Sequence, residues 1–189
     1  VSGQSWRSEK QRRPRAVIEP IVQALTESLA DDNIGLEFHF GGSWRRGARV
    51  IGDLDILVIT DGLLAPTLLD PGVILPSFVR WDRLGPRIAN GDLDMPASSG
   101  WPGPLHLDIW QAKPASRGAM LCFFTGPMEL NVYQRRRAKS MGLAFSQNGL
   151  FDRETKQALP GTETEEGCYA ALRMPYLTPN ERQKWAHRR

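Results

Sequence analysis

The stretch from Gly41 to Thr60, GGSWRRGARVIGDLDILVIT, constrains this chain more than any other. Its second half, Asp53 to Thr60, reads as a β-strand. Leu54, Ile56 and Val58 face one side, and Asp53, Asp55, Leu57 and Ile59 face the other. Asp53 and Asp55 therefore share one rigid face. The first half holds a Gly-Ser turn, Gly42-Ser43, whose backbone N–H groups can cradle phosphate, and Trp44 to Ala48 can begin a short helix over it. Arg46 stands between turn and strand as a clamp for an oxyanion. Two carboxylates on one rigid edge beside a phosphate cradle suit divalent-metal-assisted phosphoryl or nucleotidyl transfer.

The rest of the chain alternates helical and strand-like segments. Residues 1–14 are polar and basic and are expected to form a frayed arm. Val17, Ile18, Ile21, Val22, Leu25 and Leu29 form one apolar stripe, so a helix is expected between Pro14 and Asp31-Asp32-Asn33. Leu36 to Phe40 reads as a strand entering the turn. Ile74 to Arg83 is compatible with a helix, and the Gly-, Pro- and Asp-rich run from Asn90 to Pro104 reads as a loop or hairpin tip. Leu105 to Trp110 alternates as a strand. Its Asp108 is an acid at a buried-strand position, where it needs a partner or a metal.

A boundary is expected near Pro114 to Arg117. Beyond it, Met128 to Met141 reads as an amphipathic helix exposing Arg135, Arg136 and Lys139. Asn148-Gly149 marks a two-residue hairpin turn. Thr162 with Glu165 fits a capping box opening a helix through about Arg173. The tail from Pro175 reads as irregular. The fold class expected is α+β: residues 15–116 as one domain with a mixed sheet, and residues 117–189 as a smaller α/β domain.

A hydrophobic share of 41% against 24% charged residues supports a buried core rather than disorder. Only five of the 24 basic residues are Lys, and the Arg cluster at Arg12-Arg13-Pro14-Arg15, Arg45-Arg46, Arg135-Arg136-Arg137 and Arg188-Arg189. Clustered Arg points to a polyanionic partner. Cys122 and Cys168 lie in apolar contexts and read as reduced core residues rather than a disulfide framework. No secretory signal or membrane span is legible, so a cytoplasmic or host-cell interior is expected.

The segments GGSWRRG, GDLDILV and HLDIW resemble the DNA polymerase beta-like nucleotidyltransferases. The FFTGP segment, followed by Asn131, Arg135, Lys139 and Asn148-Gly149, and the closing TEEGCYAALRMPYLTPNERQ narrow the resemblance to DNA polymerase family X. It runs from about Arg15 to Arg182 and is similar to minimal viral members with only a palm and a carboxy-terminal nucleotide-selection domain. The lyase and helix-hairpin-helix region of larger members is expected to be absent.

The resemblance implies the following roles. Asp53, Asp55 and Asp108 would hold two Mg²⁺ ions, with Mn²⁺ as a substitute, and Asp108 would help activate a primer 3′-hydroxyl. Gly42, Ser43, Arg46 and Gly52 would hold the dNTP phosphates. Phe123, Phe124, Gly126 and Asn131 would lie against the nucleotide sugar and base. Arg135, Arg136, His106 and Lys139 would contact DNA. The implied partners are gapped or primer–template DNA and a dNTP, with no membrane, for a monomer that fills short gaps in DNA repair.

Three positions depart from the family pattern. Phe123 replaces a usual Tyr, Met128 replaces a residue that often packs on the base, and His106 replaces a common Arg. Gly126–Pro127 is expected to be cis. Two other readings stay open: a template-independent nucleotidyltransferase, and a nucleic-acid-binding module with a degenerate site.

Overall fold

The strand beginning at Asp53 lies inside a five-stranded sheet in a computed structural model, which describes residues 11–29, 37–62, 79–95, 99–101 and 103–187. The elements run β1 (Arg13–Pro14), α1 (Arg15–Leu29), β2 (Glu37–Phe40), α2 (Gly42–Arg45), β3 (Val50–Ile51), β4 (Asp53–Ile59), β5 (Val79–Leu84), β6 (Ile88–Met95) and β7 (Gly103–Ala112). A 3₁₀ turn, Pro114–Ser116, leads into α3 (Arg117–Thr125) and α4 (Met128–Ser140). The hairpin β8 (Leu143–Ser146) and β9 (Gly149–Asp152) follows, then α5 (Glu165–Ala171), α6 (Pro179–Arg182) and a closing 3₁₀ turn, Gln183–His187.

The sheet order is β2-β4-β7-β6-β5, with β4 and β7 parallel and the other pairs antiparallel. The expected alternation along β4 holds. Leu54, Ile56 and Val58 join Ile18, Val22 and Leu25 of α1 in one core. Leu57 and Ile59, on the other face, pack with Ala112 under Met120 and Leu121 of α3. The opposite side of α3 belongs to a third cluster, where Ala119 and Cys122 meet Ala138, Phe145, Cys168, Tyr169 and Leu172. Helix α3 is thus shared between the sheet and the carboxy-terminal elements, and both cysteines are buried and free.

Several local expectations are corrected. The basic arm is anchored where it is described: β1 pairs with β3, and the buried Arg13 guanidinium donates to the carbonyls of Gln11, Gly103 and Pro104. The expected helix over Ile74 to Arg83 is, where described, strand β5. The expected loop over Asn90 to Pro104 contains most of β6 and the start of β7. Gly91 makes that strand feasible: a Cβ there would collide with the Arg80 carbonyl across β5. The hairpin turns one residue earlier than expected, because Ser146 pairs with Gly149 and leaves Gln147-Asn148 as the loop. The cap of α5 is Thr164, which accepts from the Gly167 N–H at 3.0 Å. Thr162 instead donates to the Leu159 carbonyl at 2.7 Å. The tail carries its own capping box, Thr178 with Glu181, at the start of α6. The expected stop at Asp31-Asp32-Asn33 and the cluster Arg188-Arg189 lie outside the described residues.

Candidate nucleotidyl-transfer site

Parallel pairing of β4 with β7 puts Asp55 directly opposite Asp108, and Asp53 opposite His106. Facing residues of paired strands share one side of the sheet. The acids therefore lie on the face that α3 covers further along at Leu57, Ile59 and Ala112. They stand half-buried where that cover ends.

Beside them the chain leaves β2 through Gly41 and turns at Gly42, whose φ of +51° suits a residue without a Cβ. A cleft of about 640 Å³ opens here. Gly42, Ser43, Arg46, Gly52, Asp53 and Asp55 line one side, and Phe123, Phe124, Gly126, Met128 and Asn131 line the other. Every residue expected at the nucleotide is among them. An adjoining cleft of about 460 Å³ shares Asp55, Phe123 and Phe124 and adds Asp108 and Arg135.

The polar groups of the cleft are oriented but not saturated. Arg46 Nε donates to Gln183 Oε1 at 3.0 Å, and Nη1 donates to the Thr125 carbonyl at 2.5 Å. These bonds fix the guanidinium at the carboxy-terminal end of α3. Burial pulls the Arg46 pKa below its ordinary value, although Asp55, Glu129 and Asp53 oppose the shift. Asn131 Nδ2 donates to the Phe123 carbonyl at 2.9 Å, while its Oδ1 is buried without a partner. Ser43 Oγ is also buried and unpartnered. Such orphaned groups are costly unless a ligand completes them. Gly126–Pro127 is cis, as expected.

The residues expected at DNA separate. Arg135, Arg136 and Lys139 line a cleft of about 370 Å³ between α4 and β8, joined by Arg153, Val132 and Phe145. Arg135 also lies over the Phe123 ring, 5.9 Å from its centroid. The neighbouring Arg137 turns inward and donates to the carbonyls of Leu172 and Arg173, at 2.5 and 2.8 Å. His106 is not in that cleft but on the sheet. Its Nδ1 is 3.0 Å from Asp92 Oδ1, and its Nε2 is 3.6 Å from Asp108 Oδ1. Burial pushes the Asp92 carboxyl up, but hydrogen bonds and charge from His106 and Arg80 outweigh it and hold the group below its ordinary value.

One constellation escaped the sequence altogether. Glu165, buried on α5, accepts from Arg45 of α2 at 2.9 and 2.6 Å and from Arg182 of α6 at 2.7 Å. Arg45 also donates to Thr125 Oγ1. The partners are 120 and 17 residues from Glu165 along the chain, so no local spacing signals the network.

Comparison with known proteins agrees with this architecture. Residues 120–183 match the family model described as DNA polymerase beta thumb. The chain is 28% identical to DNA polymerase lambda of Rattus norvegicus, over 90% of this chain and 33% of that protein. It is 23% identical to the DNA polymerase/3′-5′ exonuclease PolX of Bacillus subtilis strain 168, over 93% of this chain and 29% of that protein. The chain thus spans about a third of the length of these curated relatives. The five-stranded mixed sheet with its helices is consistent with a polymerase beta-like nucleotidyltransferase fold. The chain is thus similar to family X DNA polymerases along most of its length, and sheet, cleft and matches together support a family X polymerase-like protein.

Proposed function

We propose that the chain is a template-directed DNA polymerase that fills short gaps in DNA repair, joining a dNTP to a primer 3′-hydroxyl. The observation that carries this reading is the Asp55–Asp108 register pair, in which Asp55 lines both a cleft with Ser43, Arg46 and Asn131 and an adjoining cleft with Asp108. Residues 15–116 form the palm in this reading, and residues 117–189 form the lobe that checks the nascent pair.

The donor set suits hard divalent cations such as Mg²⁺ or Mn²⁺, because Asp53, Asp55 and Asp108 offer carboxylate oxygens alone. Cations bound there would lower the pKa of the primer hydroxyl and neutralise the triphosphate. The chain's own residues then do the rest. Ser43 Oγ and the backbone of Gly42 and Gly52 hold the terminal phosphates, with Arg46 as the charged clamp. Phe123 and Phe124 pack against the sugar and base, and Asn131 Nδ2, which spends one N–H on the Phe123 carbonyl, offers its second to the minor-groove edge, where the bases present a largely shared set of acceptors. An Asp108 carboxylate oxygen takes the proton as the 3′-oxygen attacks the α-phosphorus in line and pyrophosphate leaves. Arg135, Arg136 and Lys139 hold template phosphates.

The test is primer extension on a duplex with a one-nucleotide gap, with Mg²⁺ and each dNTP supplied singly. Incorporation of mainly the complementary nucleotide is expected. Asp53→Asn, Asp55→Asn and Asp108→Asn should each lower the rate roughly a thousandfold, a loss of about 4 kcal/mol of transition-state stabilisation, with an unchanged circular dichroism spectrum. Near-wild-type extension by any of the three would refute the triad. Addition without a template strand would favour the template-independent reading instead.

A further inference from the structure

The sheet carries a row of polar side chains that leads across three strands to the proposed site. Arg80 of β5 pairs with Asp92 of β6, Asp92 with His106 of β7, and His106 with Asp53 of β4. Side-chain contacts follow that register. Arg80 Nη2 is 3.2 Å from Asp92 Oδ2, and Asp92 Oδ1 is 3.0 Å from His106 Nδ1. The opposite nitrogen, His106 Nε2, stands 3.6 Å from Asp108 Oδ1. Asp92 thus uses one oxygen on Arg80 and the other on the imidazole, so the ring plane is fixed from behind. Both ring nitrogens face carboxylates, which takes His106 away from a primer phosphate.

We propose that His106, steered by Asp92, is a positioning residue for Asp108: it holds the Asp108 carboxylate in the orientation that lets it share a divalent cation with Asp55 of the neighbouring strand. The inference rests on the polymerase reading for the role of Asp108. At 3.6 Å His106 Nε2 is a close polar neighbour of Asp108 Oδ1 rather than its hydrogen-bond donor, and groups just outside a metal's own ligands that orient them cost about 10–100-fold in affinity or activity when removed. Asp82, Asp92 and His106 also bring ligand atoms within 4.8 Å of one another, so His106 as a direct ligand of a separate ion is the rival outcome.

The experiment uses Mn²⁺ as the probe, titrated at one fixed pH with free ion followed by electron paramagnetic resonance. The proteins are wild type, His106→Ala, His106→Gln, Asp92→Ala, the His106→Ala/Asp92→Ala double variant, and Asp108→Asn as the reference loss. Single-turnover gap filling is read on the same proteins. His106→Ala and Asp92→Ala should each weaken Mn²⁺ binding about tenfold and lower the extension rate about tenfold, with the dNTP KM within about twofold of wild type. His106→Gln, which keeps a donor near the Nε2 position, should recover most of the loss. The double variant should be no worse than His106→Ala, because Asp92 acts only through the ring.

Unchanged Mn²⁺ affinity in His106→Ala overturns the proposal. So does one ion fewer bound in His106→Ala and Asp92→Ala, which would make His106 a ligand. Losses that multiply in the double variant, or that Gln does not relieve, also overturn it. If Asp108→Asn binds Mn²⁺ and extends like wild type, the polymerase site itself is misassigned. If Asp108→Asn loses both while His106→Ala keeps both, only the positioning role fails. The Mn²⁺ titration decides between these outcomes even where no extension is seen.

Discussion

Gly42 shows how much of the site depends on single atoms. Its φ is +51°, and a Cβ placed there would overlap Asp55 Oδ2. The turn proposed to hold phosphate is therefore packed directly against a proposed metal ligand, and the two cannot be adjusted separately. Gly42→Ala should push the Asp55 carboxylate aside and also incur about 1 kcal/mol for the left-handed backbone. Displacing a reacting group by about 1 Å can cost a hundredfold in rate. The variant should lose about that factor in single-turnover extension while its melting temperature falls by only a few degrees. Wild-type extension by Gly42→Ala would separate the turn from the site. At this scale the sequence was informative where the signal is local. Asp53 and Asp55 share a face because strand period alone dictates it, whereas Asp108 joins them only through the parallel pairing of β4 with β7. Asp92 was hidden because Gly91 and its polar neighbours read as a loop, whereas Gly91 in fact lets β6 approach β5 closely.

The elements are tied together by a charge network rather than by apolar contact alone. Arg45 lies on the same short helix as Ser43, and Glu165 and Arg182 belong to α5 and α6. Burial pushes the Glu165 carboxyl up, but hydrogen bonds and charge from Arg45 and Arg182 outweigh it, leaving the pKa below its ordinary value. A carboxylate depressed in the folded state stabilises the fold above its unfolded pKa, about 4.3 for Glu, and that contribution drains away as pH falls through the folded value. Glu165→Gln leaves two guanidinium groups facing a neutral amide, at a cost of about 3 kcal/mol. Its melting temperature should fall by about 10 °C near neutral pH, and the gap to wild type should narrow as the pH drops below about 4. A gap independent of pH would mean that Glu165 is held by packing alone. The sequence assigned Glu165 to a capping box because Thr162 precedes it at the right spacing. The structure gives the cap to Thr164, because the helix starts at Glu165 itself, and the Glu165 carboxylate is committed instead to two arginines that no local window contains.

Over the whole molecule, the arginine clusters divide between the interior and a proposed DNA face. The sequence supports a polyanion partner from clustering alone, yet a member of each described cluster is spent on structure: Arg13 on backbone carbonyls, Arg45 on Glu165, and Arg137 on the end of α5. What remains outward on α4 and just past β9 is Arg135, Arg136, Lys139 and Arg153 around one cleft, with Val132 and Phe145 among its apolar lining. Burial, not charge, separates the two classes, which is why a count of basic residues could not. The division is measurable through counterion release, where each phosphate contact adds about 0.9 to the slope of log affinity against log salt. Arg135→Ala, Arg136→Ala, Lys139→Ala and Arg153→Ala should each reduce the slope for gapped DNA by about that amount and leave the melting temperature within a degree or two. Arg137→Ala should do the reverse: an unchanged slope and a clear loss of thermal stability, because two carbonyls at the end of α5 lose their donor. Equal slope changes across all five variants would mean that the inward-turned Arg137 is available to DNA after all, and that α4 binds the duplex as an undifferentiated basic surface rather than through one face.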